Sequence, residues 1–266
     1  MKIGFIGGGN MATALINGLI KSGKFLACDI TLSDRDDKKL EKWNECGVNT
    51  TKSNLEVAEN SDIIVFAVKP NVIASVLEEL SLKDKKTEKI YVSIAAGVSI
   101  EFLETLLGKD KNIIRSMPNT PAMVGCGMTV ISPNANVSAE NLHIIEDTLA
   151  GVGDTVVMDE KYINVVTALH GSSPAYIYML IDAMADSGVK YGIPKNVSLK
   201  IAAKAVEGSA KMVLESDEHP MKLKDDVCSP GGTTIAAVCD LEKTGFKASI
   251  QSAIDECIKK ANEMGA

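Results

Sequence analysis

An amino-terminal doubly wound α/β domain with a mostly parallel sheet, followed by an all-helical domain, is predicted by three observations. Apolar runs alternate with amphipathic stretches up to Asp159, a glycine-rich turn joins the first run to the first helical pattern, and strand-like runs then cease. The alternation is the rhythm of right-handed βαβ units. Residues 1–159 are therefore expected to form the first domain and residues 160–266 the second.

The elements follow in order. Ile3-Gly4-Phe5-Ile6 is a short buried strand, and Ala14, Leu15, Gly18 and Leu19 recur at helical spacing until Gly23 stops them. Further strands are expected at Ile30 to Ser33, Asp62 to Val68, Ile90 to Ser93 and Asn112 to Met117, with amphipathic segments between them. Met128 to Ile131 and Asp154 to Met158 are expected as edge strands flanking a helix from about Ser138 to Ala150. Beyond Asp159 the pattern is helical: Tyr162 to Leu169, Ala175 to Ser187, Asn196 to Glu215, Thr233 to Leu241 and Lys247 to Met264. Ile177, Leu180, Ile181 and Met184 form an apolar stripe that serves either the intrachain core or a second subunit.

Composition narrows the function. A net charge of -7 excludes a general nucleic-acid grip. No uncharged run reaches the roughly 18 residues a membrane span needs. Met1-Lys2-Ile3 enters a strand directly, so no signal peptide and a cytoplasmic location are expected. The six cysteines show neither CxxC nor zinc spacing and are read as reduced thiols, with no metal expected. Small molecules and protein remain as partners.

The turn Gly7-Gly8-Gly9-Asn10-Met11-Ala12 carries the first chemistry. Following Ile6, Gly7 permits the tight turn, Gly9 lets backbone approach a pyrophosphate, and Ala12 replaces a third glycine at the helix–strand contact. The first amides of the helix, from Asn10 and Met11 onward, face the phosphates. This is the fingerprint of a Rossmann-type dinucleotide site. In such sheets ligands lie beyond the carboxyl ends of the strands, where Ala67-Val68-Lys69-Pro70, Ala95-Ala96-Gly97 and Met117-Pro118-Asn119-Thr120-Pro121 end three of them. Asp34 holds the adenosine-ribose position: a carboxylate there favours NADH, whereas the following Arg35 accommodates the 2′-phosphate of NADPH. Both cofactors stay open, and Asn54 completes the candidate cofactor set.

The second chemistry lies in Ser229-Pro230-Gly231-Gly232-Thr233-Thr234. Pro and paired Gly shape a loop whose amides, at the start of a helix through Ala236 and Val238, can cradle a carboxylate. The alternative is that Ser229 and Thr233 simply cap that helix.

Together with Gly171-Ser172-Ser173-Pro174-Ala175-Tyr176, Asp186-Ser187-Gly188-Val189, His219-Pro220 and Leu223-Lys224-Asp225, these stretches make the whole chain resemble the pyrroline-5-carboxylate reductases. The resemblance implies NADPH- or NADH-dependent reduction of the cyclic imine 1-pyrroline-5-carboxylate to L-proline, and a helical dimerisation domain. It also implies a site shared between subunits and often a ring of dimers. It places Thr234 beside the imine nitrogen as the catalytic residue, Ser229, Gly231, Gly232 and Thr233 around the substrate, and an acidic residue near Asp217. A solvated turn is the other reading of Asp217-Glu218. The chain departs from the family pattern at His170, commonly a small residue, and at Asp34, often Ser or Asn in NADP-using members. Two other classes fit the residues less well: a 3-hydroxyacid dehydrogenase with Lys190 or Lys204 as general acid, and a non-catalytic dinucleotide-binding regulator.

Overall fold

The computed structural model describes residues 1–81 and 88–264. It opens with β1 (Ile3–Ile6), α1 (Asn10–Lys21), β2 (Ile30–Ser33), α2 (Asp37–Glu45), β3 (Asn49–Thr51) and α3 (Asn54–Glu59). Then come β4 (Ile63–Phe66), α4 (Pro70–Ser81), β5 (Ile90–Ser93), α5 (Ile100–Leu107) and β6 (Asn112–Met117). β7 (Gly127–Pro133), α6 (Ala139–Leu149) and β8 (Gly153–Val157) complete an eight-stranded sheet of order β3-β2-β1-β4-β5-β6-β7-β8. All pairings are parallel except β6 with β7.

Strand order reverses beside β1, so β2 and β4 flank it and a crevice opens at its carboxyl end. Period-two alternation sorts the core onto two faces. Ile3, Phe5, Ile63 and Val65 pack with Leu15 and Leu19 of α1, Trp43 of α2 and Ile145 of α6. Ile6, Ile64, Phe66 and Tyr91 pack with Val57 of α3, Ile73 and Leu77 of α4 and Leu103 of α5. Each fully buried Leu, Ile or Phe contributes about 1.5–3 kcal/mol, so both faces are firmly covered. Ser33 of β2 is buried at the strand end, and Ser138 caps α6 by accepting from the Asn141 amide at 3.1 Å.

Two elements differ from the sequence expectation here. β3 pairs with β2 as an edge strand, although Asn49-Thr50-Thr51 carries no apolar signal. β7, expected at an edge, lies between β6 and β8, because its antiparallel turn back from β6 leaves room for β8 outside it.

The segment after β8 belongs to the same compact unit, which comprises Met1–Ser172 and the chain from Cys257 onward. A single uniform helix was expected over Tyr162 to Leu169; instead a 3-10 turn at Glu160–Tyr162 leads into α7 (Ile163–Val166) and a π-turn at Thr167–Gly171. Ile163 and Val166 are buried with Met117 and Val130. Arg115 of β6 is buried and reaches Glu160 at 2.9 Å and Asn164 at 3.4 Å, while Glu160 also accepts from the Ile100 amide at 2.8 Å. Glu160→Ala strands that guanidinium, so urea unfolding should show a loss of about 3 kcal/mol, largely recovered in Arg115→Met/Glu160→Leu. A single-variant loss under about 1 kcal/mol would show the pair to be no stronger than a surface one.

The second unit, Ser173–Glu256, is helical among the described residues. α8 (Ser173–Lys190) and α9 (Lys195–Glu215) pair through a short turn; Gly188 admits the buried Ser198 at a distance no side chain would allow. Lys195 reaches Asp182 at 2.6 Å and Asp186 at 2.5 Å. α10 (Pro220–Val227), capped by His219, was not foreseen, because eight residues with four charges show no apolar period. α11 (Thr233–Lys243) and α12 (Phe246–Met264) follow, the latter ending in the first unit. The stripe residues Ile177 and Met184 stay exposed in the single chain, as do Tyr178, Met179 and Leu214.

Candidate active site

A candidate dinucleotide site is built where β1 ends. Gly7 has φ +101, and a Cβ on it would stand 2.7 Å from the Ala67 carbonyl oxygen, so only glycine lets this turn pass the end of β4. Its amide donates to the Ser33 carbonyl at 2.8 Å, tying the turn to β2 as well. Gly9 caps α1 without any side-chain hydrogen bond and no acidic residue occupies the first turn. The amides that begin α1 are thus left for an anion, with the helix dipole favouring it. Around them opens a cleft of about 280 Å³, near the lower end of the roughly 300–1,000 Å³ usual for ligand pockets.

Ile6, Gly7, Gly9, Asp34, Arg35, Asn54, Ala67, Val68 and Lys69 all line this cleft. Asn10 and Met11 open α1, and the fully buried Ala12 packs behind them. Pro70 begins α4. Ala95, Ala96 and Gly97 follow β5, Gly97 at φ +77, and Asn119 follows β6; they extend the crevice along the sheet without lining the cleft. Lys39, Lys52, Ser33 and Val72 also line it and were not singled out from sequence. Lys39 could have been noticed as a basic residue shortly after β2, whereas Lys52 follows β3.

Asn54 is held from two sides: it accepts from the Ser33 hydroxyl at 2.8 Å and donates to Glu79 at 2.9 Å. Asp34 accepts from the Gly8 amide at 2.7 Å, the Asp36 amide at 2.9 Å and Lys39 Nζ at 3.2 Å. Burial alone would push the Asp34 carboxyl up, but the donors from Asp36, Gly8 and Lys39 hold it below the usual carboxylate value. Asn119 is buried; its side chain accepts from the Met128 amide at 3.0 Å and donates to the His170 carbonyl at 3.2 Å. His170 in turn sets its ring nitrogens 2.8 Å from the carbonyl oxygens of Val166 and Met117. This residue fastens the π-turn to the end of β6.

A second candidate site, in the other unit, stands at the start of α11. Ser229 to Gly232 form a turn closed by the Gly232 amide on the Ser229 carbonyl at 3.0 Å, with Pro230 second and Gly231 third at φ +69. That is the residue order a type II turn demands. Gly232 is the N-cap and no side chain bonds the helix start, so Ser229 and Thr233 do not cap α11 as the alternative reading had it. Ser229, Gly231 and Thr233 are exposed and Thr234 is half-buried. Asp217 is exposed at φ +54, a left-handed conformation that Asp tolerates better than most residues. Among the described residues no cluster of three or more His, Cys, Asp or Glu could hold a metal ion.

Residues 2–97 match the family model described as NADP oxidoreductase coenzyme F420-dependent, and residues 160–264 match the one described as pyrroline-5-carboxylate reductase dimerisation. The chain is 47% identical over 264 residues to a pyrroline-5-carboxylate reductase of Escherichia coli, covering 99% of this chain and 98% of the relative. Its identity to the Arabidopsis thaliana enzyme of the same name is 40%, covering 99% and 95%. Among solved structures, Plasmodium falciparum pyrroline carboxylate reductase with NADP bound superposes with a TM-score of 0.92 at 33% identity, covering 100% of this chain and 98% of that one. With similarity of this depth running from the glycine turn through the last helix, the chain belongs to the pyrroline-5-carboxylate reductase family.

Proposed function

We propose that this protein reduces 1-pyrroline-5-carboxylate to L-proline with NADPH or NADH, the final step of proline biosynthesis. The observation that carries the reading is the pairing, within one family member, of a glycine turn open to a dinucleotide and an uncapped helix start suited to a carboxylate.

A dihydronicotinamide, when bound, would supply the hydride that the imine carbon takes up. The chain's own residues place and hold. The turn from Ile6 to Ala12 seats the pyrophosphate, Ala67 to Pro70 and Asn54 flank the adenosine side, and Ala95 to Gly97 and Asn119 border the nicotinamide side. In the substrate half, the amides following Gly231 cradle the carboxylate, with Ser229 and Thr233 at the rim. Thr234 points its hydroxyl to the imine nitrogen, orients the iminium and relays its proton with water; a hydroxyl is too weak an acid to do more at neutral pH. Asp217 stands near the iminium side of the substrate. Residues 1–159 act as the dinucleotide domain and 160–266 as the substrate and dimerisation domain. Lys190 stacks over the Tyr191 ring at 5.6 Å and Lys204 pairs with Glu207 at 2.7 Å on an exposed face, neither arrangement suiting the general acid of a hydroxyacid dehydrogenase.

The exposed apolar faces of α8 and α9 suit burial in a homodimer, with a ring of dimers as the larger assembly. Among the described residues no helix is long and apolar enough to cross a membrane, and the proposed location is the cytoplasm. The test is oxidation of NADPH and of NADH driven by 1-pyrroline-5-carboxylate, with 3-hydroxyacids as controls. Turnover of the imine alone is expected; turnover of hydroxyacids, or tight cofactor binding with no turnover, would contradict the proposal.

A further inference from the structure

Resting on the proposed reaction, we infer that His170 is a positioning residue for the nicotinamide end of the cofactor: with Asn119 it clasps the π-turn to the end of β6 and fixes that border of the crevice. The clasp runs both ways. The His170 ring sets Nε2 2.8 Å from the Met117 carbonyl oxygen, and the His170 carbonyl accepts from the Asn119 side-chain amide at 3.2 Å. Asn119 is buried, and the other end of its side chain accepts from the Met128 amide at 3.0 Å. The π-turn, the segment after β6 and the first residues of β7 are thereby joined in one hydrogen-bonded corner.

The end of β6 needs this support because of where its neighbours stop. β5 accompanies it only as far as Arg115; beyond that, among the described residues, β7 alone pairs with it, Val130 standing opposite Met117. Ligands of such a sheet lie beyond the carboxyl ends of its strands, and with the adenosine on the β2 side of β1 the β4-β5-β6 side is left for the nicotinamide. Met117-Pro118-Asn119 therefore leads out of the sheet where a misplacement of about 1 Å can cost about a hundredfold in rate. The two ring contacts of His170 differ in reach. Nδ1 faces the Val166 carbonyl oxygen at 2.8 Å and shapes the turn from within, whereas Nε2 joins that turn to the sheet. Both oxygens can only accept, so the clasp requires a donor at the Nε2 position. A glutamine amide nitrogen reaches about as far as Nε2; an asparagine amide nitrogen reaches only about as far as Nδ1.

Substitutions in the whole protein separate the two contacts. His170→Ala and His170→Asn should each lower kcat at least about tenfold, weaken NADPH at least about threefold and leave adenosine 5′-monophosphate within about twofold. In both, hydrogen exchange at the Met128 amide should speed up, because Asn119 loses its hold on the His170 carbonyl. His170→Gln should keep kcat, NADPH affinity and Met128 exchange within about threefold of wild type. Rescue by asparagine as complete as by glutamine would reduce His170 to a support of its own turn and overturn the inference. So would a lowered unfolding temperature in His170→Ala with kcat and Met128 exchange unchanged. If His170→Ala does not fold, Asn119→Asp decides: it keeps an acceptor for Met128 and loses the donor to His170, so kcat should fall at least about tenfold, and wild-type kcat would overturn the inference. A wild type that binds NADPH without reducing the imine would bring down the functional reading alone, and NADPH affinity and Met128 exchange would still decide the clasp. Failure of the wild type to bind NADPH would bring down both.

Discussion

Gly7→Ala should lower affinity for the reduced cofactor at least about a hundredfold, equivalent to about 2.8 kcal/mol of binding free energy. Two independent costs converge on this position. At φ +101 an L-residue is strained by about 1–2 kcal/mol. The new methyl also meets the Ala67 carbonyl oxygen at 2.7 Å, its carbon at 2.9 Å and Val68 at 3.0 Å. Ala67 closes β4, which is hydrogen-bonded into the sheet, so neither strand can yield cheaply. Relief comes only by moving the turn, which displaces the first amides of α1 from the phosphates and loosens Gly8 from Asp34. Fluorescence titration with NADPH and thermal unfolding should both register the change. Wild-type affinity in a folded Gly7→Ala protein would show that the turn does not set the pyrophosphate site.

Thr234→Ala should cut kcat at least about tenfold while cofactor affinity stays near that of wild type, since the change removes one polar contact to the reacting centre and no more. Gly232, not Thr234, caps α11, so the helix start is left intact and stability should fall little. Thr234→Ser keeps the hydroxyl and should retain most of the turnover; Thr234→Val keeps the shape and should behave as alanine does. Steady-state rates with cofactor titration separate these cases. Unchanged turnover in Thr234→Ala, or failure of serine to rescue, would remove Thr234 from the chemistry.

What could be read from the chain depended on whether a physical rule leaves a local mark. β1, β4 and β5 are continuous apolar runs because both faces of the sheet are covered, and they were legible on that ground. β3 was not, because three polar residues at an edge owe their conformation to the backbone of β2 rather than to side-chain burial. The π-turn at Thr167–Gly171 leaves no mark either, since it depends on His170 finding the Met117 carbonyl across the fold. The glycine turn and the Ser229 to Thr234 loop were readable because each needs residue types that few other structures demand. Asp34 shows the opposite case. Its place at the end of β2 was evident, yet the donors that occupy it, Gly8 and Lys39, are brought there by the turn and by α2. The same holds for Lys52, which reaches the cleft from beyond β3.

The most direct measurement is a crystal structure of the protein soaked with NADPH and L-proline together. The proline ring should stack against the nicotinamide with its reacting carbon about 3–3.5 Å from the ring carbon that donates hydride. Its carboxylate should rest on the amides that follow Gly231 and its nitrogen within reach of the Thr234 hydroxyl. Proline bound away from the nicotinamide, or with its carboxylate held by any other part of the chain, would contradict the proposed division of labour between the glycine turn and the start of α11.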